Sequence, residues 1–312
     1  MWELLYLIFG LLGLWLGTEL VIRGALTIAE HYDLSQVFIG LTILAIGTDL
    51  PELMLSIDAS LLKLKGVETS GLIVGNALGS CLNQITLVMG IAGIMGYITL
   101  SRKSLKQDGL VLLGSIVLFF LVSYDLKISR IEGITLVVVY VIYYLMLLYG
   151  EKLPERLKKE LPQKIWQNLV FLLGGIVLVI VASDMVINNG LKLAELWGVS
   201  QSFIGIVFIA FGTSLPELVL SIGAALKKAT GLSVGNIIGS NIFDILIPAG
   251  VGATISEIKV EKPVLHFDTP ILFVVTAIVL IYFYKKKGLQ KKEAVSLVAV
   301  YVIYIILKSF GF

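Results

Sequence analysis

The sequence predicts an all-α polytopic membrane protein in which ten transmembrane helices form two inverted five-helix repeats. Three observations predict it. Of the 312 residues, 57% are hydrophobic and 15% charged, with a mean hydropathy of +0.97; an ordinary soluble domain carries about 25% charged residues. Apolar stretches long enough to cross a bilayer recur along the chain between short charged loops. Polar blocks of the first half reappear in the second, in the same order. So apolar a chain has too little polar surface to face water all round, which excludes a cytosolic enzyme, a nucleic-acid binder and a disordered adaptor.

In chain order the spans fall at about 4–29, 35–62, 70–98, 109–124 and 131–149, then 166–190, 200–226, 231–255, 268–284 and 294–310. Met1-Trp2-Glu3 has no basic region and no cleavage signature, so the first span reads as a mature helix and not as a signal peptide. The second and seventh spans are each interrupted by a proline, Pro51 and Pro216. The largest charged loop, 150–165, divides the chain into a first repeat at 1–149 and a second at 166–312. With ten spans, eight lysines and arginines fall on one side and fifteen on the other. The richer side, with loop 150–165, is expected to be cytoplasmic and both termini extracellular in a plasma membrane. The single cysteine, Cys81, excludes an intramolecular disulfide, and His31 and His266 lie too far apart to build a histidine site.

The halves match in three blocks. Ser35-Gln36-Val37-Phe38-Ile39-Gly40 recurs as Ser200-Gln201-Ser202-Phe203-Ile204-Gly205, and Gly47-Thr48-Asp49-Leu50-Pro51-Glu52 as Gly212-Thr213-Ser214-Leu215-Pro216-Glu217, both at an offset of 165. Gly75-Asn76-Ala77-Leu78-Gly79-Ser80 recurs as Gly235-Asn236-Ile237-Ile238-Gly239-Ser240 at an offset of 160. Five spans per unit is an odd number, so the second copy must enter the membrane from the opposite face. Inverted repeats of this kind mark secondary transporters that hold their substrate where the repeats meet.

Away from the span ends stand seven acids (Glu19, Asp49, Glu52, Asp58, Asp184, Glu217 and Asp244) against one base, Arg23. Each ionised group at bilayer depth costs at least about 2.5 kcal/mol, so these carboxylates either bind external cations or hold protons. Thr48 and Glu52 stand at i, i+4 and Asp49 and Glu52 at i, i+3, which places all three on one helical face. Thr213 and Glu217 repeat the relation, with Ser214 in place of Asp49. The proline before each glutamate cannot donate to the carbonyl of Gly47 or Gly212, so each helix should kink or break there. Freed carbonyls, a hydroxyl and a carboxylate make an all-oxygen site suited to Na⁺ or Ca²⁺. Asn76, Ser80 and Gln84 form a polar stripe at i, i+4, i+8, as do Asn236, Ser240 and Asp244. Gly75 and Gly79, with Gly235 and Gly239, form GxxxG pairs that admit a close helix neighbour. Glu19 and Asp184 match at the 165 offset and are expected to line an ion entrance, with Arg23 an equally good partner for Glu19.

These motifs resemble the alpha-repeats of the cation/Ca²⁺ exchanger superfamily, and most of all prokaryotic Na⁺/Ca²⁺ exchangers. The resemblance implies ten helices around four cation sites, with Na⁺ and Ca²⁺ bound alternately and no cofactor. It implies ligands from Thr48, Glu52, Ser80, Thr213, Ser214, Glu217, Ser240 and Asp244 and from the backbone carbonyls of Ala45 and Ala210, with Glu52 and Glu217 as the central carboxylates for Ca²⁺. Asp49 stands where the family usually has serine, and Gln84 where a shorter Asn, or an Asp, is usual; both are taken as members of the site. Four carboxylates around one site repel one another, so either more cation charge is bound or one carboxyl is protonated. The expected function is therefore Na⁺/Ca²⁺ antiport, with a proton- or K⁺-coupled exchanger as the alternative. The expected partners are those ions and the lipid bilayer, with no nucleic acid and no obligatory protein partner. An intramembrane aspartyl hydrolase would need a motif such as Gly-x-Gly-Asp, which the chain lacks, and a passive channel would normally need several subunits around a pore.

Overall fold

The computed structural model describes residues 2–153, 165–196, 214–286 and 288–309. Apart from two short strands it is entirely helical. Helix α1 (Trp2–His31) is almost uniformly apolar and, at 1.5 Å per residue, about 45 Å long. Ser35 then caps α2 (Gln36–Thr48), its Oγ accepting the Phe38 N–H at 3.1 Å. The chain bends by 42° at Asp49 into α3 (Leu50–Leu64). Pro51 occupies the first turn of α3, where its missing N–H has no helical partner to lose. Helix α4 (Ser70–Met95) carries a π-helical turn at Gln84–Val88.

Ser101 caps α5 (Arg102–Val122), which starts seven residues before the expected span. Those extra residues include a buried acid, Asp108, to which the hydroxyl of Tyr143 donates at 3.2 Å. A Ser129–Glu132 capping box opens α6 (Arg130–Gly150). Helix α7 (Ile165–Leu196) comes next, then α8 (Leu215–Leu226) with Pro216 in its first turn. The second half ends in α9 (Thr230–Ile255), α10 (Val264–Lys286) and α11 (Lys291–Ser309). Strands β1 (Lys127–Ile128) and β2 (Ile258–Lys259) pair antiparallel and tie the α5–α6 loop to the α9–α10 loop.

Among the described residues seven helices are long and apolar enough to cross a membrane, and the bent α2–α3 pair makes an eighth. Of the expected span 200–226, residues 200–213 lie outside the described residues, and the remainder is α8. Most of loop 150–165 lies outside them too.

Helix α9 is the axis of the molecule. It is buried along nearly its whole length and packs against α2, α3, α4, α6 and α8. Helices α1 and α7 pack along each other outside this core through small residues. A Cβ on Gly24 would stand 2.7 Å from the Asn168 carbonyl oxygen, and one on Gly175 would stand 2.9 Å from the Val21 nitrogen. Backbones so close exchange many dispersion contacts, the main attraction left between helices in a solvent as apolar as they are. Outward faces carry exposed apolar side chains such as Trp15, Leu110, Ile131 and Trp166, as a lipid-facing surface requires.

Candidate functional site

The break between α2 and α3 fixes the site. Asp49 is the hinge residue, Thr48 ends α2, and Glu52 lies in the first turn of α3. Ser214 and Glu217 hold the corresponding places at the start of α8. Helix α9 adds Ser240 and Asp244 about halfway along its length, and α4 adds Ser80 and Gln84. All of these residues are buried, as is Ala45.

Asp49, Glu52 and Glu217 converge, each offering a carboxylate oxygen within 4.8 Å of the others'. Both oxygens of Asp49 and of Glu217, Oδ1 of Asp244, and the hydroxyls of Ser214 and Ser240 are buried without a hydrogen-bond partner among the described residues. No lysine, arginine or histidine is among the buried residues described. Uncompensated charge so deep in protein is strongly unfavourable, and a set of oxygens around converging carboxylates is the donor chemistry that hard cations accept.

Other groups are already engaged. Thr48 Oγ1 donates to the Leu44 carbonyl at 3.1 Å, which leaves its lone pairs to face a cation. The Ala45 carbonyl accepts the Asp49 N–H at 3.0 Å within its own helix. Gln84 Nε2 donates to Asp244 Oδ2 at 3.1 Å, while Gln84 Oε1 accepts from Asn241 Nδ2 at 2.8 Å. The glutamine thus spends both ends of its amide holding Asp244, and Asn241 fixes which end does what. Asn241 is not among the sequence-predicted site residues. Its only signal is that of a polar residue beside Ser240 in an apolar helix, because its counterpart at the 160 offset is Cys81. Ala210 and Thr213 lie outside the described residues.

Outside the cluster one expected contact is not made. Glu19 pairs with Lys227 at 2.5 Å and not with Arg23, whose guanidinium lies over the Phe171 ring at 5.4 Å. The long Lys227 side chain reaches from the end of α8, which packs against α1. Asp58 and Asp184 are exposed. Of the two glycine pairs, Gly235 and Gly239 meet α2 closely. An added Cβ on Gly75 or Gly79 would have no described atom within 4 Å.

The chain is similar in sequence to known proteins over almost its whole length. It is 28% identical over 344 residues to the sodium/calcium exchanger MaX1 of Methanosarcina acetivorans, covering 97% of both chains. It is 34% identical over 284 residues to the inner membrane protein YrbG of Escherichia coli, covering 87% of this chain and 86% of that one. The structure superposes on that of the sodium-calcium exchanger NCX_Mj from a crystal soaked with zero Na⁺ and Ca²⁺. The TM-score is 0.86 at 30% identity, covering 97% of this chain and 98% of the other. The family model described as sodium/calcium exchanger protein matches residues 2–149 and 167–310. This chain therefore belongs to the sodium/calcium exchanger protein family.

Proposed function

We propose that the protein is a secondary antiporter that exchanges Na⁺ for Ca²⁺ across a plasma membrane by alternating access. The observation that supports this most is the group of four buried carboxylates, Asp49, Glu52, Glu217 and Asp244, without a buried protein cation among the described residues. The name and fold of the relatives agree with it. In this reading residues 1–149 and 166–312 are inverted repeats of five spans each, joined by a cytoplasmic loop at 150–165, and ten helices surround the ions.

Glu52 and Glu217 hold Ca²⁺ between the repeats, with Thr48 and Thr213 beside them. Asp49, Ser80, Ser214, Ser240 and Asp244 complete the set for the alternating Na⁺ ions, with the carbonyls of Ala45 and Ala210. Gln84 acts through Asp244. Loss of one ion set leaves the carboxylates uncompensated, so the emptied carrier is unfavourable and exchange is coupled. Helices then slide past the fixed cluster to expose it first on one face and then on the other. No covalent chemistry is needed.

Uptake of ⁴⁵Ca²⁺ into proteoliposomes tests this directly. Vesicles loaded with Na⁺ should accumulate Ca²⁺, and K⁺-loaded or pH-clamped vesicles should not. Glu52→Gln and Glu217→Gln should each abolish the uptake. Uptake driven by a proton or K⁺ gradient without Na⁺ would replace the coupling ion, and normal exchange in either variant would refute the site.

A further inference from the structure

A buried aspartate–tyrosine pair occurs once in each half and takes no part in the site above. In the first half the Tyr143 hydroxyl of α6 donates to Asp108 Oδ1 of α5 at 3.2 Å. In the second the Tyr304 hydroxyl of α11 donates to Asp268 Oδ1 of α10 at 3.0 Å. The match is written in the chain: Asp108 and Asp268 are 160 residues apart, and Tyr140-Val141-Ile142-Tyr143 recurs as Tyr301-Val302-Ile303-Tyr304.

The two pairs differ in one respect. Lys308, one turn beyond Tyr304, sets its ammonium on Asp268 Oδ2 at 2.5 Å. The residue at that place in the first half is Leu147. Leu147 and Asp108 both line a cavity of about 170 Å³ at the end of the bundle where α2 and α5 begin and α6 stops. Its polar lining includes Ser35, Ser104, Gln107 and Glu151. Asp108 is 97% buried, since 3% of it is exposed, and among the described residues no lysine or arginine forms an ion pair with it, although the charge of Lys103 acts on it from farther off. Lys103 also lines the cavity but is an exposed residue at its rim.

We propose that this cavity is a cation site separate from the transport cluster, where an inorganic ion with part of its water shell replaces the ammonium that Lys308 supplies in the other half. Asp108 is the anchoring carboxylate, and the hydroxyl, amide and carboxylate oxygens around it complete the shell. The void is wide for a bare ion and suits one that keeps water. An ion here joins the ends of α2, α5 and α6, and it needs none of the roles assigned to Glu52 or Glu217.

Dialysis of the purified full-length protein against NaCl, CaCl₂ or MgCl₂, with bound ions per chain then counted by mass spectrometry, tests this. In one of the three series the wild type should hold one ion more than Asp108→Asn. Leu147→Lys should lose the same ion because its ammonium takes the place, while Glu52→Gln/Glu217→Gln should keep it. The salt in which the difference appears identifies the ion. Equal counts for wild type and Asp108→Asn in all three salts would overturn the proposal, and so would an extra ion that survives Leu147→Lys. Thermal melting reports whether each variant is folded, and Leu147→Lys alone decides the matter if Asp108→Asn is not.

Discussion

At the scale of single residues, the two halves of the transport cluster contribute equal charge by different means. The first half supplies Asp49 and Glu52 and places a neutral amide at Gln84; the second supplies Glu217 and Asp244 and places a hydroxyl at Ser214. The two motif glutamates could be read from the sequence because spacing and a neighbouring proline suffice to place them on a helix face. The part played by Gln84 could not. It begins a π-helical turn, and spacing alone does not tell an ion ligand from a residue that holds Asp244 by a hydrogen bond. Its partner Asn241 has no repeat mate to draw attention to it. The exchange of Ser for Asp at position 49 is the sharper test of charge. A unit charge at about 4 Å in a medium of effective dielectric near 20 is worth about 4 kcal/mol, so even after desolvation is offset Asp49→Ser should weaken Ca²⁺ by at least roughly tenfold, or 1.4 kcal/mol. The Ca²⁺ concentration for half-maximal Na⁺-driven uptake measures this. An unchanged value would show that bound Ca²⁺ does not feel the Asp49 charge.

At the scale of elements, prolines and glycines decide the geometry. The sequence allows a kink or a break at Pro51; the structure has a break, with Asp49 as the hinge and the proline starting a new helix. That outcome depends on tertiary packing, because a proline in a long apolar run accommodates both. The close approach of a helix to Gly235 and Gly239 is readable from their spacing, but the identity of the neighbour, α2, is not. A Cβ on Gly239 would stand 2.7 Å from Leu41 Cα and 2.8 Å from Ala45 Cβ. These atoms are backbone or fixed to it, so Gly239→Ala must push α2 away from α9. Overpacking of this kind costs about 1–3 kcal/mol, and here it also displaces Thr48 and Asp49. Gly174 in α7 has no described atom within 4 Å of an added Cβ and serves as the control. Gly239→Ala should lower the melting temperature and depress Ca²⁺ uptake, while Gly174→Ala should lower neither. Equal behaviour of the two variants would mean that the α2–α9 contact is not what holds the cluster together.

At the scale of the whole molecule, the all-α membrane class and the doubled family pattern are readable from composition and the repeated blocks, and the family match over both halves agrees. The repeat of Asp108 with Tyr143 in Asp268 with Tyr304 escapes such a reading, because a Tyr-Val-Ile-Tyr run in an apolar background looks like lipid-facing helix until the structure shows its aspartate. Doubling of a unit with an odd number of spans sets the sidedness of every matched loop, and one pair of loops suffices to test it. Lys65 lies just after α3 and Lys228 just after α8, and both are exposed. If each repeat has five spans, these equivalent loops face opposite sides of the membrane, with Lys228 on the lysine-rich cytoplasmic side. The protein suits the measurement, because its only cysteine, Cys81, is fully buried with Sγ 3.5 Å from the Asn241 carbonyl oxygen. Lys65→Cys should react with a membrane-impermeant maleimide on intact cells, and Lys228→Cys only after permeabilisation. The reverse pattern would keep the inversion and turn the molecule over. Labelling of both from the same side would require an even number of spans between equivalent loops, and the two repeats would then run parallel, with no inverted pair to alternate around the ions.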